Sequence, residues 1–264
     1  MKKLVSVIIA CYNAEEYIDD CIKALLAQTY SNLEIIICDD ASTDNSYIKL
    51  CEWKEKDNRI TVLNNDKNLY AAETRNNCIA ISKGDYLLIQ DVDDISKTNR
   101  VERLVAVLES EDIDFVSSAM SAFDTNPQET FKLMKQKKMY PKKKDFLWNL
   151  PFYHPATMFT REAIMAVDGY RVAEETRRGQ DYDMFMRMYA KGFKGKNLEE
   201  SLYLFRLDNA NIKRRTFKAR IGEYKIRKRG FKELGLLPLG WPFLFKPFIA
   251  HVIQQIRYSR RRIR

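Results

Sequence analysis

The chain of 264 residues runs to position 84 before it uses a glycine and has only nine in all. That gap excludes the G-x-G-x-x-G dinucleotide fingerprint and the Walker loop from the first two strand-to-helix turns, because both need glycine to bring backbone N–H groups against a phosphate. Histidine is limited to His154 and His251. The five cysteines, all within the first 78 residues, are odd in number and lack a C-x-x-C pair. Buried free thiols are therefore expected, rather than a disulfide or zinc framework. The longest apolar stretch, residues 234–249, is interrupted by Pro238, Pro242, Pro247 and Lys246, which argues against a membrane-spanning helix. Met1-Lys2-Lys3 leads into Leu4-Val5-Ser6-Val7-Ile8-Ile9 with no cleavage site, so no secretory leader is expected and the bulk of the chain is placed in the cytoplasm.

A hydrophobic content of 45% is enough to build a substantial core. Residues 4–10, 33–38 and 60–63 read as strands, and Gly84 opens a fourth. Between them the apolar residues change to helical spacing: Tyr17, Ile18, Cys21, Ile22, Leu25 and Leu26 share one face of a helix over 14–27. Helices are also expected from Thr43 or Asp44 to about Asp57 and over 71–82. Four strand–helix units in about 100 residues predict an α/β fold with a mostly parallel sheet between helices. The turns carry Tyr12-Asn13 and Asp39-Asp40 in place of glycines, so a nucleotide would be held by side chains at its base and ribose and by a metal at its phosphates.

The fourth strand ends in Gln90-Asp91-Val92-Asp93-Asp94, three carboxylates in four residues. Such crowding needs a cation, hydrogen-bond donors or water to stay ionised. In a central parallel strand this end opens on the crevice where such folds bind ligands. Two readings follow from the residues alone. One is an oxygen-ligand site for Mn²⁺ or Mg²⁺; the other is an acidic loop capping a helix near Lys97 through Asp94 or Ser96.

Five segments in order resemble glycosyltransferase family 2, of the glycosyltransferase-A fold: residues 6–13, Gln28-Thr29-Tyr30, residues 38–44 with Asp39-Asp40, Thr74-Arg75-Asn76, and the D-x-D-like 90–94. The resemblance implies an inverting transferase that uses a nucleotide-diphosphate sugar, with UDP expected. It implies that Tyr12 borders the base and Asp40 accepts from its ring nitrogen. Arg75 also falls in the donor site, Asp91 meets the ribose or a metal-bound water, and Asp93 ligates the metal. Ala10 and Ala41 replace a family proline and glycine, and Asp39 and Asp94 are lesser candidates. Taken alone, Tyr12 fits a core tyrosine and Asp40 a helix cap equally well.

In the second half, a charged helix over 97–110 and a strand over 114–118 precede a basic, irregular stretch over 119–147 that reads as solvated surface. His154, beside Pro155, fits a packed structural residue better than a ligand, though the family has a comparable stretch flooring its site. In Gly179-Gln180-Asp181-Tyr182-Asp183, the resemblance makes Asp181 the catalytic base, with Gln180 replacing a family acid. Leu202-Tyr203-Leu204-Phe205-Arg206 resembles the strand that closes the family's active site, and Asp208 and Asn209 stand where a downstream histidine often helps hold the metal. Residues 218–264 carry 13 Lys and Arg against two Glu, a net +11 that leaves the other 217 residues at −2 of the chain's +9. With Trp241, Phe243, Phe245 and Phe248 among the cations, this tail reads as an interfacial anchor on anionic lipid or as helices packed on the body. The expected organisation is a catalytic domain over 1–215, with a nucleotide half over 1–110 and an acceptor half over 111–215, and a membrane-associating tail over 216–264. The protein is expected at the inner face of the cell membrane, acting on a glycan or lipid-linked acceptor and binding no nucleic acid. Two alternatives stand beside it: a sugar nucleotidyltransferase, which ought to show an early glycine-rich loop, and a nucleic-acid binder using the tail.

Overall fold

The computed structural model describes residues 2–207 and 216–262, with side chains described to residue 254; Asp208 and Asn209 lie outside the described residues. The first half forms as its patterning predicts. Strands Val5–Cys11 (β1), Leu33–Asp39 (β2), Ile60–Asn64 (β3) and Tyr86–Asp91 (β4) alternate with helices Ile18–Leu26 (α1), Ser46–Lys56 (α2) and Tyr70–Ile81 (α3). β1 pairs in parallel with β2 on one side and β4 on the other, and β3 joins β2 in parallel. The second half adds Ile95–Ser96 (β5), Arg100–Ser110 (α4), Phe115–Phe123 (β6), Lys132–Met134 (β7), Thr157–Thr160 (β8), Arg161–Ala166 (α5), Gln180–Ala190 (α6) and Gly195–Arg206 (β9). The sheet runs β3-β2-β1-β4-β8-β6-β9-β5, with β7 on β6, so β4 is central as expected. Beyond β4 the pairing is mixed: β8 is antiparallel to both β4 and β6, and β9 is parallel to β6.

Both faces of the parallel strands are covered, because successive side chains point to opposite sides. Ile8, Ile36 and Ile89 meet α3, α5 and α6 on one face. Val7, Ile9, Ile37 and Leu88 meet α1 and α4 on the other. Four of the five thiols are buried and all five are free.

Three local expectations change. The helix after the carboxylates starts at Arg100 behind Asn99, which makes no side-chain cap. Asp94 and Ser96 are therefore not caps: Asp94 Oδ1 accepts from Arg206 N at 2.7 Å and Ser96 donates to Gln90 Oε1. The basic stretch is partly ordered, since it completes β6 and adds β7.

The tail folds onto the body as Phe217–Glu233 (α7), Leu237–Gly240 (α8) and Lys246–Arg262 (α9). Ile226, Phe231 and Leu234 join the core that contains α6. Gly230 permits this, because a Cβ there would run into Met186, and one at Gly222 would meet Glu175 O at 2.9 Å. Among the described residues, no helix is long and apolar enough to cross a membrane.

Candidate active site

Parallel register aligns the strand ends. Cys11 pairs with Asp39, Asp39 with Asn64, and Ala10 with Asp91, so residues 12, 40, 65 and 91–94 emerge along one edge. Tyr12 and Asp93 line a cavity of about 450 Å³ there, together with Ala10, Tyr17, Asp91 and Arg206. Asp40 and Asp181 are not among its lining residues.

Asp39 closes the turn after β2, accepting from Ser42 N at 2.9 Å and Ser42 Oγ at 2.6 Å. The same turn puts Ala41 at φ +56°, a left-handed conformation that glycine adopts without strain and alanine does not. Asp40 is buried and heavily engaged. Its Oδ1 accepts from Leu69 N at 2.7 Å and Asn65 Nδ2 at 2.8 Å, and its Oδ2 from Tyr70 N at 2.9 Å. It supports the start of α3 and does not cap the helix that follows it, and an ionised carboxylate with three such bonds has about one acceptor position left.

The Thr74-Arg75-Asn76 segment links the two halves. Arg75 Nη2 donates to Asp91 Oδ1 at 2.6 Å, and the Arg75 Nε and Nη1 atoms are buried without partners. Burial opposes the Arg75 charge, but Asp91, with Tyr170 and Asp181 adding to it, leaves the guanidinium more firmly protonated than usual. Asn76 clamps the backbone of Tyr170 through Nδ2 to O at 2.7 Å and N to Oδ1 at 2.9 Å. The Tyr170 ring lies 5.9 Å from the Arg75 guanidinium, and its hydroxyl meets His154 Nε2 at 2.7 Å. A line of contacts thus runs Asp91, Arg75, Tyr170, His154.

Burial, with Arg75 adding to it, holds His154 neutral, well below the usual imidazole range. This is the packed, hydrogen-bonded histidine of the structural reading. An imidazole whose folded pKa is depressed weakens the fold on acidification, because below pH about 6.5 the unfolded chain takes up a proton that the folded one resists. Stability is therefore expected to fall as pH drops below 6.5, by at most about 1.4 kcal/mol per unit from this group. His154→Gln should flatten that part of a Tm-versus-pH curve; an unchanged slope removes His154 as its source.

At the D-x-D end, burial, with the charge of Asp91 adding to it, pushes the Asp93 carboxyl up to about 6. A carboxylate pair held under this strain fits a divalent cation, which needs only one or two carboxylates when substrate phosphates and water complete its shell. Among the described residues no group of three His, Cys, Asp or Glu converges as a self-sufficient metal site.

Three residues shape this loop: Arg206 and Tyr203, from the segment that resembles the family's site-closing strand, and Arg100, which sequence reasoning missed. Arg206, the last residue of β9, donates from Nε to Asp93 O at 2.9 Å and lies over the Tyr17 ring at 4.9 Å. Beneath, Arg100 is fully buried, bonded to Gln90 Oε1, Ser96 Oγ and Ile89 O, while Gln90 Nε2 donates to Asp91 O and Asp94 O. Tyr203 accepts from Asp91 N. For Arg100 the only sequence signal was a cation opening a helix, a common surface feature.

Asp181 is the second residue of α6, which follows Gly179 at φ +121°. Its Oδ1 accepts from Tyr182 N at 2.8 Å, and the Gln180 side chain turns back to Gly179 N. The start of α6 is braced by buried Asp183, which accepts from Arg171 Nε at 3.0 Å and Arg187 Nε at 2.8 Å. Arg187 in turn holds the carbonyls of Val167 and Gly169 beside Tyr170. The charge of Asp181 adds a minor contribution to holding Arg75 protonated and to pushing the Tyr170 hydroxyl up.

A family model described as "Glycosyl transferase family 2" matches residues 6–167. The putative glycosyltransferase EpsE of Bacillus subtilis is 32% identical over 98% of this chain and 94% of its own length. The putative teichuronic acid biosynthesis glycosyltransferase TuaG of the same organism is 30% identical over 83% of this chain and 84% of its own. Among solved structures, S. aureus TarS 1–349 in complex with UDP superposes with a TM-score of 0.68 at 18% identity, covering 87% of this chain and 64% of that one. The mannosyltransferase PcManGT of Pyrobaculum calidifontis, with GDP-Man and Mn²⁺, superposes with a TM-score of 0.65 at 16% identity, covering 94% of this chain and 75% of that one.

Proposed function

The chain belongs to glycosyl transferase family 2, and from that premise we propose that it transfers a sugar, with inversion, from a nucleotide-diphosphate sugar to a hydroxyl of a glycan or lipid-linked acceptor in surface polysaccharide synthesis. It is a glycosyltransferase with the glycosyltransferase-A fold, and TuaG is named for teichuronic acid biosynthesis. The observation that carries the finer reading is the cavity that Tyr12, Asp91 and Asp93 line together at the end of β4, with Arg75 bonded to Asp91 beside it.

Tyr12 borders the base, Asp40 offers its remaining acceptor position to the base ring, and Arg75 and Asp91 face the ribose and diphosphate. UDP is the expected nucleotide; TarS holds UDP and PcManGT holds GDP-Man. Asp93 with Asp91 would hold Mn²⁺ or Mg²⁺, whose charge when bound offsets that of the departing diphosphate. Asp181 takes the proton from the acceptor hydroxyl as its oxygen bonds the anomeric carbon from the face opposite the nucleotide. The anomeric C–O bond breaks and its electron pair leaves with the nucleotide diphosphate. A carboxylate suffices as base because the alcohol becomes acidic only as the new bond forms, and positioning supplies much of the rest. The tail is read as holding the protein at an anionic membrane surface on its cytoplasmic face. The test is a thermal-shift panel of nucleotide diphosphates and nucleotide sugars with and without Mn²⁺, since a ligand that binds only the folded state raises the midpoint. A nucleotide-diphosphate sugar that shifts the midpoint only with Mn²⁺ supports the reading; no response to any member overturns it.

A further inference from the structure

The tail leaves one face uncovered while its other face packs on α6. Phe245, directly before α9, and Ile249, Val252 and Ile253 along its start follow at helical spacing and are all exposed, Ile249 and Val252 to 58% and 57%. Trp241, 62% exposed, packs edge-on against Phe245 at 5.2 Å. The stripe does not end with the tail. Trp148, from the catalytic body, is 64% exposed and meets Phe243 at 5.0 Å. The junction is tied by cations, with Arg227 donating to the carbonyls of Leu147 and Trp148, and Lys246 to the Trp148 carbonyl and to Asn149 Oδ1.

Exposed aromatic and aliphatic side chains in one stripe are costly in water unless something covers them. The charge around them says what. Residues 234–264 contain six Lys and Arg and no Asp or Glu. A protein partner or a second copy of this chain would be met by a surface of both signs, whereas a segment whose charges are all positive, with Trp241 within it, matches anionic headgroups over acyl chains.

We propose that Trp148 and the exposed stripe of α9 form one composite docking surface for an anionic lipid bilayer, so that the catalytic body itself, and not a tethered tail, rests on the membrane. The inference rests on the membrane-bound part of the proposal above and is independent of its chemistry, because vesicle binding is measured without donor or acceptor. A body fixed in this way presents the α6 side of the site at constant height above the bilayer, which suits an acceptor carried on lipid.

The test uses the full chain and vesicles of phosphatidylcholine, alone or mixed with phosphatidylglycerol. Sedimentation is expected with the mixed vesicles only, weakening as salt rises. Trp241→Ser combined with Ile249→Ser, both at exposed positions, is expected to lower partition by about tenfold or more with the Tm unchanged. Trp53, Trp148 and Trp241 are the only tryptophans, and Trp53 is partly buried against Asp19. In Trp241→Phe, therefore, quenching by brominated lipid reports on Trp148, and marked quenching is expected. Equal binding to neutral vesicles, unaltered partition of the double variant, absence of Trp148 quenching, or a vesicle-free dimer that the double variant dissociates would each overturn the proposal. If vesicle binding fails while the donor still shifts the midpoint, the docking surface is wrong and the enzymatic reading stands.

Discussion

Asp181→Asn is expected to lower transfer by about 10²–10⁴-fold while leaving nucleotide-sugar binding unaltered. The amide is isosteric and its oxygen still accepts from Tyr182 N, so the start of α6 should keep its conformation. What it loses is the ability to take a proton from the acceptor hydroxyl. The loss should appear equally in kcat and kcat/KM, as for an interaction made only in the transition state. Asp183, two residues on, is not an alternative base, because both its oxygens are held by Arg171 and Arg187 in a buried brace. Gln180 carries no charge and turns back on Gly179. Turnover within a few-fold of the parent would end the assignment of Asp181.

Asp93→Asn is expected to act in opposite directions on function and on stability. With metal and nucleotide sugar present, the Mn²⁺-dependent rise in midpoint should disappear, since a neutral amide is a poor ligand for a hard cation. Without metal the variant should be more stable than its parent at pH 7.5. The folded protein holds a proton on Asp93 up to about pH 6, against 3.8 for the free group, so the contribution of this carboxyl to stability is lost as pH rises between those values. A shift of about two units corresponds to at most about 3 kcal/mol. Solvent screening of a partly exposed group reduces that to about 1–2 kcal/mol, or about 2–6 °C in Tm for a chain of this size. Thermal melts with and without Mn²⁺ read both effects. Retention of the metal-dependent shift would exclude Asp93 as a ligand. Its loss with a lowered metal-free Tm would mean that the loop tied to Arg206 had collapsed.

Much of the first half was legible because its signals are local. Continuous apolar runs, helical spacing in 17–26 and carboxylates directly after the fourth strand are set within a few residues of one another, and each formed where expected. Asp40 shows the limit of that kind of reading. Its position at a strand end was clear, but its use as a support for α3 depends on Leu69 and Tyr70, some 30 positions later. The tail shows the same limit: its apolar and cationic residues were plain, yet whether they packed or stayed exposed depended on Gly222 and Gly230 opening room against Glu175 and Met186.

Sequence alone determined the order of strands and helices through the fourth strand, the absence of a glycine phosphate cradle, the acidic strand end and the division of charge between body and tail, because each is a property of neighbouring residues. Tertiary structure alone decided that Arg206 reaches back to the Asp93 carbonyl across 113 positions, that Arg100 is buried under the same loop, and that Arg75 pairs with Asp91. Those partners meet only once the sheet has closed and its register is set, and the residue types involved are as common on open surface as they are in a site.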